Sequence, residues 1–250
     1  MRTVAIANQK GGCGKTTTAV NLASAFALSG KNVLLIDLDP QAHATLGLGC
    51  DPETMEKTVY NIFTDPDIPV SELVSNSIID RLCLLPSNIL LSGVELELAS
   101  MDNREFVLTN RIKEVNGSYD MCLIDCSPSL SLLTINALVA SDDVIIPVQT
   151  HYYALEGLRQ LLETVDIVQR HFNENLEILG VLLTFVESRT KLSRHVQQQM
   201  REHFGDLVFD TVIHKDVRLA EAPSAHEPVF AYAPESTGAL EHKILAEEIG

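Results

Sequence analysis

A stretch around residue 10 combines glycines, lysines and hydroxyl side chains, the residue types that bind phosphate groups. It consists, in order, of Lys10, Gly11, Gly12, Cys13, Gly14, Lys15, Thr16 and Thr17. Glycines allow backbone N–H groups to close on phosphate oxygens without a side-chain clash. The spacing places Lys15 to reach the β- and γ-phosphates of a nucleotide and the Thr16 hydroxyl to bind Mg²⁺. The stretch therefore predicts a nucleotide site.

The segments on either side of this stretch fit the same chemistry. Residues 3–7 form a short apolar run that predicts a buried strand, and residues 17–28 predict a helix. Strand, glycine-rich turn and helix in this order are the context that a phosphate-binding loop needs. The helix N-terminus adds unpaired N–H groups and the positive end of a dipole. The alternative is a glycine-rich turn without a ligand, and the order of the three segments argues against it.

Carboxylates follow two further apolar strands. Asp37 and Asp39 come directly after a predicted strand at residues 32–36, and Asp125 ends a second one. Ligands of α/β sheets bind beyond the carboxyl ends of the strands, and a strand-terminal carboxylate opposite Thr16 suits Mg²⁺. The alternative for each carboxylate is an ordinary cap of the turn or helix that follows it.

The rest of the chain alternates between apolar strands and helical segments. Strands are predicted within residues 82–88, 144–148 and 178–185, and helices at residues 59–63, 70–74, 91–98, 103–115 and 153–170. This alternation, with 46% hydrophobic residues over 250 positions, predicts a single α/β domain spanning residues 1–250. Its core would be one doubly wound, mostly parallel sheet flanked by helices.

Composition limits the expected partners and compartment. Eighteen Lys and Arg against 34 Asp and Glu give a net charge of −16, which argues against a surface that broadly coats DNA or membranes. The five cysteines are scattered without a C-x-x-C pair, which predicts reduced thiols rather than a metal framework. Residue 1 leads directly into a strand, and no apolar run nears the roughly 20 residues of a spanning helix. We therefore expect a cytoplasmic protein with no membrane role.

Ordered motifs in this chain resemble those of the ParA/MinD family of ATPases. The loop starts with Lys10 and has Gln9 where the common phosphate-binding loop has its first glycine, which resembles the deviant Walker A loop of that family. Residues 33–41 are similar to the family's D-x-D-P-Q signature, and residues 119–129 to its Walker B strand and D-C-x-P-S turn. The resemblance implies a P-loop NTPase fold and the cofactors ATP and Mg²⁺.

Two more segments resemble the chromosomal ParA/Soj branch of the family. Residues 86–98 contain P-S-N followed by L-x-x-x-E-x-x-L. Residues 213–224 are similar to P-[RK]-x-V-R-L-x-E-A-P-S, with His214 in place of the usual proline. Because that proline lies near the adenine in relatives, the resemblance implies that His214 does so here.

The resemblance also implies roles for the site residues. Lys15 and Lys10 would bring positive charge to the phosphates, and Lys10 would cross a dimer interface to the partner's nucleotide. Asp39 would place the attacking water. The implied metal site consists of Thr16, Asp37 and Asp125. The implied nucleotide site consists of the loop from Lys10 to Thr17 with Asp125 and His214.

Cations in the last quarter of the chain raise the question of DNA binding. By the resemblance, Arg189 and Arg218 match positions that face DNA when ATP joins two subunits, and Lys191, Arg194 and Lys215 could join them. Non-specific DNA binding follows the number of cations presented to phosphates, so a dimer would bind where one subunit does not. The alternative is an ordinary solvated surface.

The function implied is that of a partition ATPase for chromosome or plasmid DNA. It would form an ATP-dependent homodimer on non-specific nucleoid DNA and leave it after hydrolysis stimulated by a ParB-like partner. One alternative is an orphan relative that positions another cargo, and a second is a Soj-like regulator of replication or sporulation. A nitrogenase-like electron carrier would need a cluster, for which Cys126 has no suitably spaced partner.

Overall fold

Within residues 1–151 and 154–250, which the computed structural model describes, seven strands form one sheet. The strands are β1 (Arg2–Ile6), β2 (Val33–Leu38), β3 (Ser75–Asn76), β4 (Leu82–Leu85), β5 (Met121–Cys126), β6 (Asp143–Gln149) and β7 (Glu177–Thr184). Their spatial order is β3-β4-β2-β5-β1-β6-β7. Every neighbouring pair is parallel except β3 with β4, which is antiparallel.

Helices cover both faces of the sheet. The α-helices of the same two ranges are α1 (Lys15–Leu28), α2 (His43–Gly47), α3 (Val59–Thr64), α4 (Val70–Leu73), α5 (Val94–Glu97), α6 (Val107–Ile112), α7 (Leu132–Val139), α8 (Ala154–His171), α9 (Lys191–Phe204), α10 (Val217–Glu221), α11 (Val229–Tyr232) and α12 (Thr237–Ile249). Short 3-10 turns span Ile89–Gly93, Leu98–Ser100, Arg104–Phe106, Lys113–Val115, Gly205–Leu207 and Ala222–Ala225. In this part of the chain, no helix has both the length and the apolar character to cross a bilayer.

The inner strands are apolar throughout because each is buried on both faces. Along β2, Leu34 and Ile36 pack into a core cluster with residues of α7 and α8. The alternate residues Val33 and Leu35 pack into a second cluster with residues of α1 and α12. This two-sided core confirms the predicted doubly wound, mostly parallel sheet.

Several elements differ from the sequence-based expectation. The edge strand β3 was not expected, because Ser75 and Asn76 are polar and only two residues long. The helix expected over residues 103–115 is divided into a 3-10 turn, α6 and a second 3-10 turn, and Asn103 before it has a left-handed φ of 56°. The helix expected from residue 153 is α8, and Tyr153 lies outside the described residues.

The carboxyl ends of strands β1, β2 and β5 lie side by side at one end of the sheet. In the register between β2 and β5, Asp37 is the partner of Asp125. On the other side of β5, Ile6 at the end of β1 is also the partner of Asp125. The chain leaves β1 at this point and enters the glycine-rich loop, so the loop and both carboxylates share one end of the sheet.

Candidate functional site

The glycine-rich loop connects β1 to α1 through backbone conformations that favour glycine. Gly12 has a φ of 69° and Gly14 a φ of 91°, both in the left-handed region. A Cβ atom built on Gly12 meets no atom within 4 Å, which leaves the loop's inner side open to a ligand. Lys15 then starts α1, so the first N–H groups of that helix point into the same space.

Side chains from two other strands hold the loop in place. Asn8 donates from Nδ2 to the Pro147 carbonyl oxygen at 2.6 Å and accepts from the Lys10 N–H at 3.0 Å. Thr184, at the end of β7, donates from Oγ1 to the Cys13 carbonyl oxygen at 2.8 Å. The loop is therefore preorganised by contacts that need no ligand.

Most of the predicted phosphate-binding residues line one cavity of about 360 Å³. Lys15 lies there with only 6% of its surface exposed, and its ammonium donates to the Lys10 carbonyl oxygen at 3.1 Å. The cavity is lined by Gly11, Gly12, Gly14, Lys15, Thr16, Thr17, Asp39, Gln41, His43, Pro128 and Phe185. The structure thus brings the loop together with Asp39, but Lys10 is half-buried beside this cavity and does not line it.

Asp125 is a fully buried carboxylate beneath the loop. Within the described part of the chain, neither of its oxygens has a hydrogen-bond partner. Burial, and to a lesser degree the charge of Asp37, raise the pKa of Asp125 well above its ordinary value. The nearby Thr16 hydroxyl, which falls short of full hydrogen-bond geometry, and the charge of Lys15 act in the opposite direction. An unpartnered buried carboxylate near Thr16, in the first turn of α1, fits a Mg²⁺ ion, which takes one or two carboxylates and completes its shell with water and phosphate oxygens.

Asp37 is also fully buried, but its oxygens are engaged by the protein. It accepts hydrogen bonds from the Thr45 N–H at 2.8 Å, from Thr45 Oγ1 at 2.7 Å and from the Asp39 N–H at 3.1 Å. Burial raises its pKa, and the bonds from Thr45 partly oppose that shift. These bonds connect the end of β2 to α2. The role in the Mg²⁺ shell that the sequence predicts for Asp37 stays a prediction.

Asp39 lies on the wall of the cavity with 8% of its surface exposed. Its Oδ1 accepts from the Gln41 N–H at 2.9 Å, and its carbonyl oxygen accepts from Ser87 Oγ at 2.8 Å. The backbone and one carboxylate oxygen are thereby fixed, and Oδ2 has no such contact among the described residues. A fixed carboxylate of this kind can orient a water molecule next to the phosphates.

A second, smaller cavity of about 100 Å³ continues from the loop. It is bordered by Gly14 and Thr17 at the loop and by a mostly apolar wall that includes Phe185, His214 and Leu219. An apolar lining of this kind suits a base. The contact with adenine that the sequence predicts for His214 stays a prediction. The ring nitrogens of His214 contact Glu241 and Ser188 rather than the cavity.

The predicted DNA-binding cations lie on and beside α9 and α10, and all five are exposed. Lys215 forms an ion pair with Glu187 at 3.1 Å, and Arg218 forms one with Glu221 at 2.7 Å. In residues 1–151 and 158–250, no carboxylate lies within 4 Å of the remaining cations, which are Arg189, Lys191 and Arg194. Three of the five predicted cations are therefore free of ion pairs in this part of the chain.

Some site residues have little signal in the sequence. Thr184 lies next to the end of the strand predicted over residues 178–185, and that position is its only signal. Asn8 and Thr45 act through tertiary hydrogen bonds that no local pattern indicates. Phe185 borders both cavities and has a left-handed φ of 51°, a conformation that a bulky residue rarely adopts and that its sequence does not suggest.

Comparison with known proteins gives matches over nearly the whole chain. Residues 1–178 match the family described as AAA domain. The chain is 49% identical to the sporulation initiation inhibitor protein Soj of Bacillus subtilis, over 98% of this chain and 97% of Soj. It is 43% identical to the chromosome partitioning protein ParA of Caulobacter vibrioides, over 100% of this chain and 94% of ParA.

A solved structure is similar to this chain in both fold and sequence. Cobyrinic acid a,c-diamide synthase from Mycobacterium smegmatis, crystallised with bound ADP and magnesium, has a TM-score of 0.87 and 35% identity, and the match covers 98% of this chain and 92% of that one. A parallel sheet, a glycine-rich loop entering a helix and a buried carboxylate beneath the loop define a P-loop nucleotide-binding ATPase. Together with these matches, they show that the chain belongs to the ParA/Soj family of partition ATPases.

Proposed function

We propose that residues 1–250 form one Mg²⁺-dependent ATPase domain that partitions chromosome or plasmid DNA. The observation that carries the proposal is the buried, unpartnered Asp125 beneath a preorganised glycine-rich loop. Such a carboxylate is costly unless a cation faces it, and Mg²⁺ bound with a nucleotide supplies that cation. The related structure with ADP and magnesium supports the same pair of ligands.

In this proposal, hydrolysis depends mainly on positioning and on charge. Thr16 and Asp125 hold Mg²⁺, which when bound neutralises negative charge on the phosphate oxygens. Lys15 exchanges its hydrogen bond to the Lys10 carbonyl oxygen for one to a phosphate oxygen. Asp39 orients the attacking water by accepting its hydrogen bond.

ATP-dependent dimerisation would complete the site. Lys10 lies at the rim, and its ammonium forms no ion pair within the ranges that the structure covers. It is therefore available to a phosphate of a second copy that approaches the open loop. Two copies joined in this way present two sets of Arg189, Lys191 and Arg194 to DNA, and hydrolysis, which a ParB-like partner would stimulate, separates them. The dimer would reside on the nucleoid in the cytoplasm.

The test is binding to a random-sequence DNA duplex, measured by fluorescence anisotropy with ATP, with ADP and without nucleotide at two salt concentrations. We expect binding only with ATP, and a steep loss of affinity as salt rises. Equal binding in all three nucleotide states, or none in any of them, would contradict the DNA-riding function while leaving the ATPase assignment intact.

A second candidate function is regulation, with hydrolysis acting as a timer. It is favoured by the 49% identity to Soj, which is named as an inhibitor of sporulation initiation. An Asp39→Ala variant separates the two functions, because it should bind ATP without hydrolysing it. Partition needs repeated cycles and should fail in this variant, whereas a regulator that acts in its ATP-bound state should remain active.

A further inference from the structure

His214 connects the base-sized cavity to a neighbouring loop through its ring. Its Nδ1 lies 2.5 Å from Glu241 Oε1, and its backbone N–H donates to Glu241 Oε2 at 2.8 Å. Its Nε2 lies 2.9 Å from Ser188 Oγ. The ring therefore borders the cavity while α12 holds it on one side and residue 188 on the other.

Ser188 belongs to residues 187–194, here named the cation loop, which lead into the start of α9. This segment carries three cations that form no ion pair with the side chains of residues 1–151 and 158–250. Backbone hydrogen bonds join its start to the cavity wall: Val186 N–H donates to the Ile213 carbonyl oxygen at 3.0 Å, and Lys215 N–H donates to the Val186 carbonyl oxygen at 3.1 Å. Ser193 Oγ bonds to Thr150 Oγ1 at 3.1 Å and accepts from the Glu187 N–H at 3.2 Å, which ties the far end of the segment to its start. Two side chains of the segment bond to the cavity wall, Ser188 to His214 and Glu187 to Lys215.

We propose that His214 is a positioning residue that couples occupation of the cavity to the order of the cation loop. Ser188 is exposed, so water competes for its hydrogen bond to the ring. A base packed beside His214 displaces that water and restricts the ring. The ring then holds Ser188, and with it the neighbouring Arg189, in one position. The inference rests on the proposed function at one point only, which is nucleotide binding.

Amide hydrogen exchange of the cation loop tests the coupling without requiring DNA. Exchange is measured without nucleotide, with ADP and with the slowly hydrolysed analogue ATPγS, each nucleotide at saturation. In the unmodified protein, nucleotide should slow exchange at residues 188–190 about fivefold. Ser188→Ala should lose most of that protection, and its nucleotide affinity should fall by no more than the same factor of about five, because coupling is reciprocal. Ser118→Ala, an exposed serine elsewhere, should behave like the unmodified protein.

A second pair of variants separates the ring from its hydrogen bonds. His214→Phe keeps an aromatic ring beside the cavity but removes the bonds to Ser188 and Glu241, so at saturating nucleotide the loop should exchange as it does without nucleotide. His214→Gln keeps one polar group that can reach Ser188 and should restore part of the protection.

The outcomes separate this proposal from the proposed function. If the unmodified protein binds no adenine nucleotide, the ATPase function itself is contradicted, and the coupling with it. If nucleotide binds but leaves loop exchange unchanged, or protects the loop equally in Ser188→Ala and His214→Phe, the coupling alone is contradicted.

Discussion

At the scale of single residues, Asp125 shows how the site is organised around a ligand. A carboxylate removed from water without a hydrogen bond destabilises the folded chain, yet both oxygens of Asp125 lack partners among the described residues. Asp37, its register partner on β2, is equally buried but accepts three hydrogen bonds. Asp37 therefore supports the fold through its hydrogen bonds, whereas Asp125 is placed to bind a cation.

Without nucleotide, the Asp125→Asn variant should therefore be more stable than the unmodified protein. Added nucleotide should stabilise the variant less than it stabilises the unmodified protein. Burial raises the pKa of Asp125, so the folded chain keeps a proton that the unfolded chain releases near pH 4. The resulting loss of stability develops as the pH rises through the range between those two pKa values. We expect a melting temperature about 5 °C higher at pH 7.5, assuming relief of about 2 kcal/mol, and a smaller gain at pH 5.

Thermal unfolding with and without Mg²⁺ and ATP checks both parts of this prediction. The unmodified protein should be stabilised by the pair, and Asp125→Asn much less. Asp102→Asn, which changes an exposed carboxylate, should show neither effect. A lower melting temperature for Asp125→Asn without nucleotide would mean that the carboxylate has a partner in the folded protein.

At the scale of elements, α2 shows what tertiary contacts add to local sequence. The helix has only five residues and follows Ala42, whose φ of 54° is left-handed. Such a short helix is not stable by itself. Asp37 and Thr45 hold it against the end of β2, and Thr45 Oγ1 also accepts from the Ser87 N–H at 2.9 Å. The Thr45 hydroxyl on α2 thus connects the end of β2 with the segment that contains Ser87.

The Thr45→Val variant should be destabilised by about 2 kcal/mol, because it removes the hydroxyl bond to the buried Asp37 carboxylate and leaves the Ser87 N–H without a partner. The loss should be larger at pH 8 than at pH 5. Thr45 lowers the raised pKa of Asp37, so its removal raises that pKa further and extends the destabilised range to higher pH. Urea unfolding at both pH values measures the effect, with Thr54→Val at an exposed site as the control. A loss that is independent of pH would show that Asp37 keeps one protonation state in the folded protein across this range.

The contrast between local sequence patterns and tertiary contacts explains what the sequence could predict. The inner strands are long apolar runs, so their positions and the doubly wound sheet follow from the pattern alone. The loop from Lys10 to Thr17, Asp39 and Asp125 follow from motif and spacing. The edge strand β3 has no apolar pattern, and α2 is held by contacts across the sheet, so neither has a local signal. The engagement of Asp37 by Thr45 also depends on side chains that only the fold brings together.

At the scale of the whole molecule, the acidic charge is unevenly distributed. Residues 51–102 contain ten Asp and Glu against two Lys and Arg, a net charge of −8, which is half of the chain's −16. This segment includes β3 and β4 at one edge of the sheet, while the cation loop follows β7 at the other. The cations of residues 187–194 are therefore little affected by this acidic segment, since charges separated by much more than the ~10 Å Debye length act almost independently.

Dimerisation belongs to the same scale because it needs both subunits. Lys10→Ala should bind ATPγS with nearly unchanged affinity but stay monomeric, because the lysine acts on the partner's phosphates and not on its own. Sedimentation velocity with and without the analogue measures this. Lys57→Ala removes a lysine that pairs with Glu72 on the acidic segment and should dimerise normally. A dimer that persists in Lys10→Ala would exclude the proposed contact across the interface.

DNA affinity should depend on the free cations more than on the paired ones. The logarithm of the binding constant falls with the logarithm of salt concentration by about 0.9 for each phosphate neutralised. Arg189→Ala removes one cation from each subunit, so the slope measured with ATP should become shallower by about 2 for the dimer. Arg218→Ala should change it less, because Glu221 already neutralises that guanidinium, and Lys113→Ala, near the opposite edge of the sheet, should not change it. Equal slopes for Arg189→Ala and Lys113→Ala would show that Arg189 does not face DNA and that other cations of the dimer neutralise the phosphates.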